Sequence, residues 1–244
     1  MKQIKGFTNC NILPEEGLKK TSLEIKDGKI AFIGEFNEGI SLNEEYIVVP
    51  GFIDQHVHGA AGSDAMDGTK EDLLKISNAL ASEGTVAYLA TTMTQSVENI
   101  TKALSAIKDY VEEGVKEGAQ ILGVHLEGPF ISLKHIGAQP LEYVAKPSVE
   151  VFEMYQKASG NNIKLVSLAV EEEGALELVE HLAKTGVVAS VGHTDATADA
   201  IQKAIQKGLK NVTHTYNAMK PLHHREIGTV GSALLYNELN CELI

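Results

Sequence analysis

The sequence predicts an α/β fold, a (β/α)8 barrel of the TIM type with a small β layer ahead of it. Three observations lead there. From about residue 47, short β-rich runs alternate with amphipathic helical runs, the signature of a parallel sheet covered by helices. The alternation completes six βα units and opens a seventh strand before the chain ends. Metal-capable side chains recur where those strands run out, which is the rim where barrel chemistry sits. A doubly wound parallel sheet is the alternative topology.

The elements follow in order. Residues 1–46 carry strands at Gln3–Thr8, Leu23–Lys26 and Lys29–Ile33, the last two joined by Asp27-Gly28, a strong hairpin signal. Ile47-Val48-Val49 reads as the first buried strand of the second part, residues 47–244, with Pro50-Gly51 bending the path. Thr69–Glu83 is helical, placing Leu73, Leu74, Ile76 and Leu80 on one face, and Gly84 stops it. Then come strand Thr85–Thr91, helix Ser96–Glu117, strand Gln120–Leu126, helix Val149–Ala158 and strand Ile163–Ala169. Helix Ala175–Lys184, strand Val187–Val191, helix Ala196–Lys207, strand Asn211–Thr215 and helix Gly231–Glu238 continue the rhythm, and Cys241–Ile244 begins another strand.

Composition narrows the function classes. With 21 basic against 33 acidic residues the formal net charge is −12, which argues against nucleic-acid or anionic-membrane binding. No apolar run approaches a membrane span, and MKQIKGFTNC has no signal-peptide core, so a cytoplasmic protein is expected. Cys10 and Cys241 are too few for a disulfide framework.

The candidate site begins with PGFIDQHVHG at 50–59. In extended chain His56 and His58 point the same way. Glu127 follows the third barrel strand, His193 the fifth, and His214 ends the sixth. Imidazoles and one carboxylate on a single rim suit zinc, iron(II) or a similar divalent ion, with room for one ion or two. The other titratable groups have plainer readings. His125 is a hydrogen-bonded core residue, His181 a solvated one, and Asp195 the N-cap of the helix from Ala196. Asp54 and Asp64 brace or line the site, and His135 and His223 are loop residues without a task.

HLEGPF (125–130), GHTDAT (192–197), THTYNAM (213–219) and HREIG (224–228), together with the opening PGFIDQHVHG, resemble the N-acetylglucosamine-6-phosphate deacetylases of the amidohydrolase superfamily. The resemblance runs through the whole chain in order. It implies a metal-bearing barrel beside a small β-sandwich built from both chain ends. By the same resemblance Glu127, His193 and His214 match the main metal ligands, and His56 and His58 the pair supporting a second ion. Ala138, Asn217 and Ala218 fall where the family contacts the sugar. Arg225 aligns with an arginine that grips the 6-phosphate, in family homodimers reaching across from the neighbouring subunit, and His224 can only assist it. Gln139 stands where some members carry a histidine near the substrate carbonyl.

The implied reaction is hydrolysis of the acetamide of an amino-sugar phosphate. The family's general acid is an Asp at the end of the eighth strand, and the chain ends before one, at CELI. The resemblance therefore implies an N-terminal portion with no catalytic Asp of its own and little turnover alone. Two further readings compete: a cyclic amidase or deaminase of the same superfamily, and a non-catalytic protein that binds metal or sugar phosphate.

Overall fold

A computed structural model describes residues 4–13, 17–43 and 45–244, in two compact units that meet in sequence between Gly51 and Phe52. Gln3, where the first strand was expected to start, lies outside the described residues. In the first unit β1 (Gly6–Ile12) pairs antiparallel with β2 (Lys19–Lys26), and β2 with β3 (Lys29–Gly34). The expected hairpin turn is there, with φ of 51° at Asp27 and 73° at Gly28. Two short strands, β4 (Ile40–Ser41) and β5 (Ile47–Val48), add parallel to β1. Cys10, Ile12 and Leu23 form this unit's small core.

The β5 segment corrects the sequence reading, which gave it to the barrel. Its partners are Asn11 and Ile12. Pro50 has no N–H to continue the ladder, and the barrel strand starts afresh at Phe52.

The second unit runs β6 (Phe52–Val57), the short pair β7 (Gly59–Ala60) and β8 (Ser63–Asp64), α1 (Lys70–Ser82), β9 (Thr85–Thr91) and α2 (Val97–Glu112). It continues through β10 (Gln120–Glu127), α3 (Val149–Ala158), β11 (Ile163–Leu168), α4 (Ala175–Thr185) and β12 (Val188–Val191). Last come α5 (Ala198–Lys207), β13 (Asn211–Val212), α6 (Gly228–Leu235) and β14 (Asn240–Cys241). Thr69, Ser96, Ser148 and Thr197 each accept a backbone N–H of the first turn, the usual device for starting a helix.

The sheet order is β6-β9-β10-β11-β12-β13-β14, every neighbour parallel. Strands are added in chain order. A doubly wound sheet would reverse direction at a switch point, so the alternative topology is excluded. The sheet also curls on itself: His56 in β6 and Glu242 just past β14, from its two edge strands, are joined by a 2.9 Å hydrogen bond. This is the architecture of a TIM-like barrel, with seven parallel strands described.

The alternation of side chains along each strand sorts the two faces. Val124, Leu126, Val166, Leu168, Ala189, Val191 and Val212 point outward into one hydrophobic core with the helices. Their neighbours His125, Glu127, Ser167, Ser190, Asn211 and Thr213 point inward, all buried. Hydrophobic burial thus sets the register that aims the polar residues at the barrel axis. The core also contains Ile107 on α2, with no exposed surface, whereas Leu235 at the end of α6 is 61% exposed. Ile107→Ala should therefore cost about 2–5 kcal/mol in urea unfolding, and Leu235→Ala within about 0.5 kcal/mol. Equal losses at both positions would contradict this placement of the core.

Candidate metal centre

Glu127 ends β10 with its side chain 2% exposed. Gly128 follows at φ 72°, and a side chain there would strike Thr94, so only glycine lets the chain turn away at once. The Oε1 atom of Glu127 lies 3.3 Å from His193 Nε2, 3.1 Å from His214 Nε2 and 3.4 Å from His56 Nε2. Its Oε2 lies 3.2 Å from His58 Nε2. His193 and His214 bring their Nε2 atoms within 3.1 Å of each other, and His56 and His58 within 3.4 Å. The four histidines read from the sequence as ligands therefore converge on the fifth candidate, Glu127.

Two of these rings have their orientation set. His193 Nδ1 faces the backbone oxygen of His135 at 2.8 Å, and a carbonyl can only accept. His56 Nδ1 faces Glu242 at 2.9 Å. In the neutral rings both protons sit on Nδ1, leaving Nε2 lone pairs aimed at Glu127. Backbone geometry is strained in the same place: φ is 47° at His193, 30° at His214, 81° at Tyr216 and 46° at Ala218. Residues held in this region persist where the surroundings over-determine them, and they cluster at functional sites.

A carboxylate ringed by imidazole Nε2 atoms at 3.1–3.4 Å is stabilised by positive charge among them, carried by a metal ion or, without one, by protons on the rings. Tetrahedral bonds of 2.0–2.1 Å to nitrogen place neighbouring donor atoms roughly 3.3–3.4 Å apart. The donor set and its spacing therefore fit a divalent cation, either at Glu127, His193 and His214 or at His56, His58 and Glu127. Burial works against the charge on Glu127, but the contacts from His193, His214 and His58 outweigh it, so the carboxyl sits far below the usual range. At His58 burial lowers the pKa, yet the Glu127 hydrogen bond and charge more than compensate, and the net shift is upward.

The sugar-contact candidates lie on exposed loops. Ala138 and Asn217 are exposed and Ala218 is half-buried. Ala218 accepts from Thr194 N at 3.1 Å, and a side chain at Gly137, next to Ala138, would meet both His193 and Ala218. Arg225 is exposed on a loop where its own contacts are with His223 and His224, 3.2 Å away. Neither contact reaches the histidine cluster.

Three other readings change. Asp195 does not cap α5; Thr197 does. Asp195 instead accepts from Lys134 at 2.7 Å and Lys220 at 2.9 Å, and these two hydrogen bonds hold its carboxyl well below the ordinary range. His181 is paired with Glu153 rather than simply solvated. Gln139 is buried, accepts from Thr94 N at 2.7 Å and donates to Glu127 Oε2 at 2.8 Å, so its side chain steadies the central carboxylate. Glu242 was missed altogether. The signal was a lone carboxylate inside CELI, an otherwise apolar strand opening.

A singly wound parallel barrel carrying imidazole and carboxylate donors at the strand C-termini defines an α/β protein of the metal-dependent barrel class. Residues 47–241 match the Amidohydrolase family, and the chain belongs to it. It is 40% identical over 241 residues to N-acetylglucosamine-6-phosphate deacetylase of Bacillus subtilis (strain 168), covering 96% of this chain and 61% of that one. The crystal structure of the Mycobacterium smegmatis N-acetyl-D-glucosamine-6-phosphate deacetylase matches with a TM-score of 0.90 at 28% identity, over 98% of this chain and 68% of that one. A D267A mutant of that enzyme, in complex with N-acetyl-D-glucosamine-6-phosphate, matches at 0.89 with 28% identity, over 99% of this chain and 63% of that one. The chain spans about half to three fifths of the length of the curated relatives it matches.

Proposed function

We propose that the chain carries the metal-binding and much of the substrate-binding apparatus for hydrolysis of N-acetylglucosamine 6-phosphate to glucosamine 6-phosphate and acetate. The observation that carries this reading is the convergence of His193, His214, His56 and His58 on the buried Glu127, in a chain 40% identical to such a deacetylase. Glu127, His193 and His214 would hold one ion and His56 and His58, with Glu127, a second; nitrogen-rich donors favour Zn2+ or Fe2+. A divalent ion there supplies Lewis acidity, activating water near neutral pH and polarising the acetyl carbonyl.

The chain's own residues bind and orient. Gln139 keeps Glu127 facing the histidines, and the loop carrying Ala138 with the Asn217-Ala218 turn walls the sugar. Arg225 takes the phosphate, because a planar guanidinium donates two parallel hydrogen bonds to it, and a homodimer would let it serve the neighbouring site. Protonation of the leaving nitrogen is assigned to none of these residues. Both cysteines are free and no described helix is long and apolar enough to cross a membrane, which accords with a cytoplasmic location.

The test is thermal stabilisation of the Zn2+-loaded chain, since a ligand of the native state raises its melting temperature. N-acetylglucosamine 6-phosphate should stabilise it and unphosphorylated N-acetylglucosamine should do so far less. Arg225→Ala should weaken the phosphorylated sugar about 10- to 100-fold, the equivalent of one charged hydrogen bond of about 1.5–3 kcal/mol. A chain that takes up no Zn2+, or that treats the two sugars alike, would overturn the assignment.

A further inference from the structure

Glu242 lies just past β14 with its side chain 4% exposed, and beyond facing His56 it has been given no role so far. Its Oε2 receives His56 Nδ1 at 2.9 Å and the backbone N–H of His214 at 2.9 Å. Its Oε1 receives Asn211 Nδ2 at 3.0 Å and Gln55 Nε2 at 3.3 Å. A backbone amide and two carboxamide nitrogens can only donate, so both oxygens act as acceptors. His56 Nδ1 must then carry a proton, and the lone pair of the neutral ring falls on Nε2.

Glu242 is itself anchored. Asn211 Nδ2 also reaches Ser190 Oγ at 3.2 Å, and Ser190 meets Thr213 Oγ1 at 2.6 Å. Thr213 meets Ser167 Oγ at 2.6 Å, and Ser167 meets His125 Nε2 at 2.6 Å. His125 Nδ1 donates to the backbone oxygen of Gln55, 3.1 Å away, in the residue whose side chain holds Glu242. The ring of contacts closes through β6, β10, β11, β12 and β13, directly beneath the histidine cluster. A fully satisfied polar network of this kind is rigid.

We propose that Glu242 is a positioning residue: it holds His56 in the Nδ1–H form and pins the His214 backbone, so that both rings present Nε2 to a cation beside Glu127. The proposal rests on the metal-binding reading given above. Carboxylates behind ligand imidazoles fix tautomer and ring orientation, and their loss commonly costs 10- to 100-fold in metal affinity.

Two measurements test it. In metal-free protein labelled with 15N-histidine, long-range proton–nitrogen correlations distinguish the two tautomers, and His56→Asn identifies the His56 signal. The wild type should show a protonated Nδ1, Glu242→Ala should shift His56 towards Nε2–H, and Glu242→Gln, which keeps an acceptor oxygen, should retain Nδ1–H. Titration of the same proteins with Co2+ should show affinity reduced 10- to 100-fold in the alanine variant and less than 10-fold in the glutamine variant. An Nε2–H His56 in the wild type overturns the proposal, and so does an alanine variant that keeps both the tautomer and the cobalt affinity. If the alanine variant does not fold, the wild-type tautomer decides. A wild type with the expected tautomer that takes up no cobalt overturns the cation-presenting role and the metal reading together, and the two failures are told apart by the tautomer.

Discussion

Glu127→Ala should abolish cation binding at the histidine cluster, with a loss well beyond the 10- to 100-fold typical of an outer partner. Among the described residues, Glu127 is the one carboxylate in contact with all four candidate ligand imidazoles, at 3.1–3.4 Å. Without it, four imidazoles face one another with no carboxylate in contact with their Nε2 atoms to balance a divalent ion, and a buried uncompensated charge is costly. Glu127→Gln keeps the shape and still loses the charge, so it should fail nearly as completely. Asp195→Ala is the control: that carboxylate is occupied by Lys134 and Lys220 and makes no contact with the cluster's Nε2 atoms. Zn2+ binding by calorimetry on metal-free protein should therefore vanish in the first two variants and persist in the third. Persistent binding in Glu127→Ala would mean that the ion sits elsewhere.

What was legible in the sequence follows from what each signal depends on. Helix α3 was read to the residue and α1 within one residue at each end, because their apolar spacing and Thr69 or Ser148 caps are local features. The convergence of the four histidines was legible because the barrel rule converts strand ends into a common rim. Signals that depend on distant partners were not. Ile47–Val48 has the composition of a barrel strand, yet its pairing with β1 is decided by tertiary contact. The strand at Asn211 was read too long because His214 leaves the extended region at φ 30°, a feature of the site and not of strand propensity. Asp195 and Glu242 look alike in sequence, each a carboxylate shortly after a barrel strand. Only the placement of Lys134, 61 residues away, and His56, 186 residues away, gives them opposite tasks.

The inward-facing polar layer should also govern acid stability, through His125. This ring has no exposed surface, and burial, followed by the neighbouring His56, pushes its pKa down to about 3 from the usual 6.5. A neutral ring has one N–H, and Gln55 O can only accept it, so Nε2 accepts from Ser167. Protonation would put a second hydrogen where Ser167 already donates. The native state thus refuses a proton that the unfolded chain takes up below about pH 6.5. Stability from this group is complete above that pH and falls away as the pH drops from 6.5 towards 3, at up to about 1.4 kcal/mol per pH unit. Between pH 6.5 and 5 the loss is about 2 kcal/mol. His125→Asn can still donate to Gln55 O, leaves Ser167 short of an acceptor, and cannot titrate. It should be less stable than wild type at pH 7, by about 1–3 kcal/mol for the orphaned hydroxyl, with the gap closing by about 2 kcal/mol at pH 5. Urea unfolding with chelator present, so that cation release does not contribute, measures both differences. A gap that stays constant from pH 7 to pH 5 would show that His125 accepts its proton in the folded protein, and the one-way hydrogen-bond order beneath the cluster would have to be abandoned.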